Sequence, residues 1–277
     1  MTDPLLTVSP PRAPDFIVTI YGDVVEPRGG TLWMGALIEC CAEHGISESL
    51  VRTAVSRLVS SGRLEGARLG RKSFYRLSTA AQAEFRDAAR ILFDSPPTPE
   101  SWLVALREPD ACGEAPFPWV RLASGVALAP ARTDLRAIDG VIFEAHPVSG
   151  HIPALAAQNW PLCDVATAYK RVIDRYAHLM ERLDEATASG STALTLRLRL
   201  VDDYRRAALA DPQLPLHACP DEWPADAAQD LFTRLYLALS PAADRHIAAQ
   251  FQNQSGFLPR DTKATLTRLA RLRASLA

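Results

Sequence analysis

The chain has 277 residues, of which 48% are apolar and 22% charged, a balance that suits two or three packed domains and excludes a disordered or fibrous polymer. A formal net charge of −2 and a sequence pI of about 6.3 exclude a uniformly basic coat, so any affinity for nucleic acid must come from a local patch. Five scattered cysteines fit no secreted disulfide framework, and the chain has neither a cationic leader nor an apolar run near the ~20 residues that span a bilayer. The expected compartment is therefore the cytoplasm, with no membrane partner.

Pro4, Pro10, Pro11 and Pro14 discourage regular structure in residues 1–15, which are expected to be disordered. Three helices are expected next, at 16–25, 32–43 and 47–60, the last with Ser47 as N-cap after a Gly45 stop. In the third, Val51, Ala54, Val55, Leu58 and Val59 recur at helical spacing, which turns Glu48, Ser49, Arg52, Thr53, Ser56 and Arg57 outward. Strands at 63–68 and 73–77 then flank Leu69-Gly-Arg-Lys72, giving a hairpin with a cationic tip. Between residues 52 and 76, seven basic side chains face Glu65 alone.

Helix, turn, helix and basic hairpin together predict a winged helix-turn-helix domain over 16–93, followed by a proline-rich linker at 94–100. Strand-like runs at 102–106, 119–129 (split by Gly125) and 140–145 predict a small α+β middle domain over 101–158. Its segment 108–118 holds three prolines and Gly113, so it cannot form a covering helix and one face of the sheet must be covered otherwise. A helical domain over 159–277 begins with the stripe Val165, Tyr169, Val172, Ile173, Tyr176, Leu179 and Leu183, and continues with helices at 193–209 and 225–239. Leu214, Leu216 and Trp223 favour an ordered connector between the last two. The fold class expected is α+β and multidomain.

In a winged helix the third helix enters the major groove, where arginine pairs with guanine and threonine meets the thymine methyl. Arg52, Thr53 and Ser56 are the expected base readers on double-stranded DNA. Ser49 and Arg57 are expected at phosphates, and Arg68, Arg71 and Lys72 at backbone or minor groove. The alternative is a solvated face used for protein contacts. Cys40, Cys41 and His44 lack a second ligand pair, so a buried apolar role is favoured over a metal site. His146 and His151 are expected to be solvated. No phosphate loop, nucleophile elbow or paired helix histidines occur, and the acidic pairs Asp202-Asp203 and Asp221-Glu222 are expected to be solvated or salt-bridged. The expectation is of no enzyme, no catalytic residue, no metal and no cofactor. Arg197, Arg199, Arg205 and Arg206 either grip an anionic ligand or make helix-surface ion pairs.

Three N-terminal segments, Phe16-Ile-Val-Thr-Ile-Tyr-Gly-Asp23, Leu32-Trp-Met-Gly-Ala-Leu-Ile38 and Leu50-Val-Arg-Thr-Ala-Val-Ser-Arg-Leu-Val59, closely resemble the N-terminal domain of the PaaX-type regulators, repressors of phenylacetate catabolism. Farther on, Asp203-Tyr-Arg-Arg206, Asp211-Pro-Gln-Leu-Pro215, Pro220-Asp-Glu-Trp-Pro224 and Leu235-Tyr-Leu-Ala-Leu239 resemble the family's C-terminal helical domain. The resemblance implies a homodimeric repressor on a palindromic operator, released by an aryl-acyl-CoA effector such as phenylacetyl-CoA, and a ferredoxin-like middle domain, here shortened. The effector is expected between the middle and C-terminal domains, with Arg205 or Arg206 near its phosphates and Tyr204 or Trp223 near its aryl group. Asp202 stands where the family has a histidine. Two alternatives stay open: an acyl-CoA-binding or acyl-CoA-processing protein with a winged-helix docking module, and an architectural DNA-binding protein without a small ligand.

Overall fold

The computed structural model describes residues 9–94, 97–108, 115–136 and 138–276. The chain belongs to the α+β class: mostly helical, with small antiparallel sheets. It divides into two compact units, each discontinuous in sequence. The first comprises Met1–Ser95, Arg171–Arg206 and Ala227–Ala277; the second comprises Pro96–Lys170 and Ala207–Asp226.

In the first unit, α1 (Ala13–Ile20) starts three residues before the expected helix, because Pro14 fits a first turn whose amide needs no partner. The chain continues through a π turn (Tyr21–Val25) and a 3-10 turn (Glu26–Arg28), ending at Gly29 in the left-handed region. The second expected helix is corrected at its start. Thr31–Trp33 is a strand, β1, and α2 covers only Met34–Ala42, because residues 31–33 pair antiparallel with the hairpin and complete a sheet edge. A Cβ at Gly35 would lie 2.4 Å from the Trp33 ring, so the indole folds back over the first turn of α2 only because residue 35 has no side chain.

Helix α3 (Glu48–Ser60) buries Val51, Ala54, Val55 and Leu58, while Val59 is exposed. Ser47 holds the N-cap backbone position, but its hydroxyl makes no cap bond and contacts Ser49 Oγ at 3.1 Å instead. Strands β2 (Leu64–Leu69) and β3 (Lys72–Leu77) form the hairpin, and the sheet order is β1-β3-β2. Helix α4 (Thr79–Phe93), to which the sequence reading assigned no element, is capped by Ser78 Oγ accepting the Ala81 amide.

The rest of this unit is helical: the C-terminal part of α6 (Leu162–Tyr176), α7 (Leu183–Thr187), most of α8 (Gly190–Ala210), most of α9 (Ala225–Gln250), a two-residue strand pair (β8 Gln252–Asn253, β9 Gly256–Phe257) and α10 (Lys263–Ala274). Helix α9 runs eleven residues past its expected end and through Pro241, because Ala242, Ala243 and Ile247 extend its buried stripe. A Thr262–Thr265 capping box starts α10.

The second unit holds a four-stranded antiparallel sheet, β4 (Trp102–Leu106), β5 (Val120–Ala123), β6 (Val126–Pro130) and β7 (Val141–Ala145), in the order β5-β6-β4-β7. On one face Trp102 and Leu128 pack with Ala156 of α5 (Ile152–Asn159), Trp160, Leu162, Leu214 and Ala218. On the other, Ala105, Ala127 and Ala129 pack under Trp119, with Leu135 and Ile138 from a loop. Loop side chains thus cover the face for which the sequence offered no helix. Residues 109–114, most of the proline-broken segment, and Cys112 with them, lie outside the described residues. The connector after α8 is ordered: Asp211 accepts from Tyr169 OH (3.0 Å) and from the Gln213 amide (2.7 Å), and Leu214 is buried. Leu216, expected to be buried, is exposed in a short 3-10 turn.

Candidate nucleic-acid interface

The inward stripe of α3 fixes which of its side chains meet solvent. Ser49, Arg52, Thr53, Ser56 and Arg57 are all exposed. Arg52 donates through Nε and Nη2 to the same Glu48 oxygen, at 2.8 and 2.7 Å. Thr53 Oγ1 donates to the Ser49 carbonyl (2.8 Å), which turns its methyl outward.

The hairpin turns over two residues, with Leu69 paired to Lys72 and Gly70 at φ +60° in the first central position, the glycine-first pattern of a type II′ turn. Arg68, Arg71 and Lys72 are exposed around this tip. Lys72 is not loose: its ammonium lies 4.4 Å from the Trp33 ring centroid and donates to Gln252 Oε1 (3.0 Å). Arg68 Nε donates to the Gly70 carbonyl (3.2 Å), holding the turn. Arg76 forks onto Glu65, and Arg63 pairs with Glu84. Arg57, Arg68, Arg71 and Lys72 form no ion pair among the described residues, so they carry the uncompensated charge. A groove separates α3 from the hairpin, with Arg52 and Ser56 on one wall and Arg68, Ser73 and Tyr75 on the other.

The residues expected at an effector are placed differently. Tyr204 is buried and stacked on Phe232, centroids 4.1 Å apart. Arg205 donates to Thr19 Oγ1 (3.2 Å) and the Asp15 carbonyl (3.3 Å), and Arg206 to Asp202 (2.6 Å). These three belong to the first unit. Trp223 belongs to the second, half-buried and edge-on to Tyr169.

The Cys40, Cys41 and His44 cluster is structural. Both thiols are buried, and burial pushes the Cys41 thiol up to about 12. His44 packs on Phe16 and accepts from Arg199 Nε (3.1 Å); burial, then the Arg199 charge, lowers it to about 3, so it is neutral. No group of three potential ligands forms a metal site among the described residues. His151 is not merely solvated, since its Nδ1 accepts the Ala154 amide and caps α5.

The helix-surface reading of Arg197 and Arg199 is corrected, since both are buried. Arg197 donates to Asp23 (3.0 Å) and Asp244 (2.7 Å), Arg28 donates to the same Asp244 oxygen (2.7 Å), and Tyr236 OH and Arg268 donate to Asp23 (2.7 and 3.1 Å). Burial by itself would raise the Asp23 carboxyl, but Arg197 and Arg268 outweigh it and hold the group below its usual range. Of the two readings of Asp202, the salt bridge holds, to Arg206 at 2.6 Å, but the carboxylate is buried and also accepts from Thr19 (2.7 Å). No local signal marked these contacts: Thr195, Arg199, Asp202 and Arg206 share one helix face and read as a solvated stripe, yet Thr195, Arg199 and Asp202 are buried and need partners.

Residues 12–81 match the family model described as PaaX-like protein, and residues 160–249 match the PaaX-like protein C-terminal domain. The transcriptional repressor PaaX of Escherichia coli (strain K12) is 30% identical over 276 residues, covering 90% of this chain and 87% of the relative. The chain belongs to the PaaX family. The family model thus spans α1 to α3 and the hairpin that together present the exposed basic face. The fold is shared with the uncharacterized protein Rv0674 from Mycobacterium tuberculosis, at TM-score 0.51 and 20% identity, over 84% of this chain and 97% of that one.

Proposed function

We propose that the chain is a transcriptional repressor whose residues 16–93 form a winged helix-turn-helix on double-stranded DNA. The observation that carries this reading is the single exposed face on which α3 presents Arg52, Thr53 and Ser56 across a groove from the basic hairpin. The family membership supports it, because the E. coli relative is named a transcriptional repressor. Arg52, Thr53 and Ser56 read bases, Ser49 and Arg57 hold phosphates, and Arg68, Arg71 and Lys72 contact backbone or minor groove. A DNA-bound repressor works in the cytoplasm; consistent with that, no helix among the described residues is long and apolar enough to cross a membrane.

One reading head makes only a few phosphate contacts, so operator-level affinity calls for a homodimer on a palindrome. Strand β7 supports self-association: it ends the sheet order, and its Val141, Ile142 and Phe143 are exposed, with Glu144 the one charged residue along it. Phe143→Asp should convert a dimer to a monomer in sedimentation; an unchanged dimer would move the interface elsewhere. The effector is an aryl-acyl-CoA, and Arg205 and Arg206 are candidate contacts for its phosphates. Since an effector shifts only what it binds differentially, operator must weaken effector binding by the factor by which effector weakens operator binding.

A gel-shift titration on the DNA upstream of its own gene, with phenylacetyl-CoA and with free CoA, tests the whole reading. Release by the thioester alone is expected. Specific binding that persists would overturn that effector, and no specific binding would overturn the repressor.

A further inference from the structure

We infer that Glu48 is a specificity-determining residue: it holds the Arg52 guanidinium in its reading orientation and discourages binding to arbitrary sequence. The inference rests on the proposed DNA reading and extends it to a residue of the opposite charge. Glu48 is the first residue of α3, one turn before Arg52, and both side chains are 58% exposed. Two of the Arg52 donors, Nε and Nη2, converge on Glu48 Oε1, which fixes that edge of the fork. The Nη1 edge stays directed away from that contact.

Two further observations separate this pair from an ordinary helix-surface salt bridge. First, Glu48 and Glu65 are the only carboxylates between residues 48 and 76, and Glu65 is occupied by a forked bond from Arg76. Glu48 is thus the lone acid on the outward face of α3. Second, Oε2 of Glu48 has no partner among the described residues, so it is available to accept an amino proton from cytosine. A carboxylate set among phosphate-binding groups weakens every sequence through repulsion. It is offset only where Arg52 and Glu48 both find their base partners. That asymmetry widens the gap between right and wrong sequences.

The competing role is local: an acid in the first turn favours the helix dipole without touching specificity. A duplex enriched from a randomised pool by the wild-type protein, and a scrambled duplex of equal composition, separate the two. Glu48→Ala should bind the scrambled duplex more tightly and lose about tenfold in the ratio of enriched to scrambled affinity. Glu48→Gln, which keeps an acceptor for Arg52, should recover part of that ratio. A lower melting temperature with the ratio unchanged in both variants would overturn the inference in favour of the helix-dipole role. Arg52→Ala run alongside distinguishes the failures. If it loses the ratio while Glu48→Ala keeps it, only the Glu48 role falls. If Arg52→Ala loses affinity equally on both duplexes, or the wild type enriches no sequence, the DNA reading falls as well.

Discussion

Helices α3 and α8 both carry arginines, yet the two sets do opposite things. Arg52 and Arg57 on α3 are exposed, and Arg52 is tied only to an equally exposed glutamate. Arg197 on α8 is buried and bonded to two aspartates, and Arg199 to a neutral histidine. What distinguishes them is the neighbourhood of each helix. An apolar stripe on one side of α3 leaves its cations in water, where they are available to a phosphate or a base. Residues 193–202 of α8 are all buried, and only a fixed partner makes the burial of its cations tolerable.

The sharpest way to break this contrast is Arg197→Ala, which leaves Asp23 and Asp244 with one buried cation fewer. We expect a loss of about 3–5 kcal/mol of folding stability, read as a lower denaturant midpoint. A change within about 0.5 kcal/mol, typical of surface substitutions, would place Arg197 in the same class as Arg52. The converse test is Arg52→Ala, expected to leave the midpoint unchanged and to cost about 1–3 kcal/mol on the operator with relaxed base preference. Equal losses on operator and random duplex would contradict its assigned role.

His44 sharpens the contrast through pH. The unfolded chain takes up a proton on this histidine near 6.5, whereas the folded chain resists until about 3. The unfolded state therefore binds more protons between those values, and stability falls as pH drops through that window. His44→Gln should flatten the upper part of this loss, between pH 6.5 and 5; parallel melting curves for both proteins in that range would show that burial and the Arg199 charge do not hold the ring neutral. The smallest effect belongs to Lys72→Ala. It should weaken operator and random duplex alike and lower the salt slope by about one, whereas a change in base preference would make Lys72 a reader.

Much of the first unit was legible because local rules agreed with one another. The period of α3, the Gly70 turn and the two hairpin strands around it are short-range signals, and the structure keeps them. The start of α2 was not legible: Leu32-Trp33 suits a helix, but its partners on β3 lie some forty positions away. For the candidate site, exposure of the expected residues followed from the stripe. The Glu48–Arg52 geometry and the grip of Trp33 and Gln252 on Lys72 depended on side-chain rotamers and distant residues.

By itself the sequence determined the α+β class, the face of α3 that meets solvent, the basic hairpin and the family, because period, turn chemistry and motif order are local properties of the chain. Only the tertiary structure decided that Asp23, Arg28, Arg197 and Asp244 form one buried cluster joined by the partly buried Arg268, that His44 is a packed neutral ring, and that Tyr204 stacks on Phe232 within the core. Burial and pairing of a charge depend on residues brought together from far along the chain, and no local pattern specifies which of them meet.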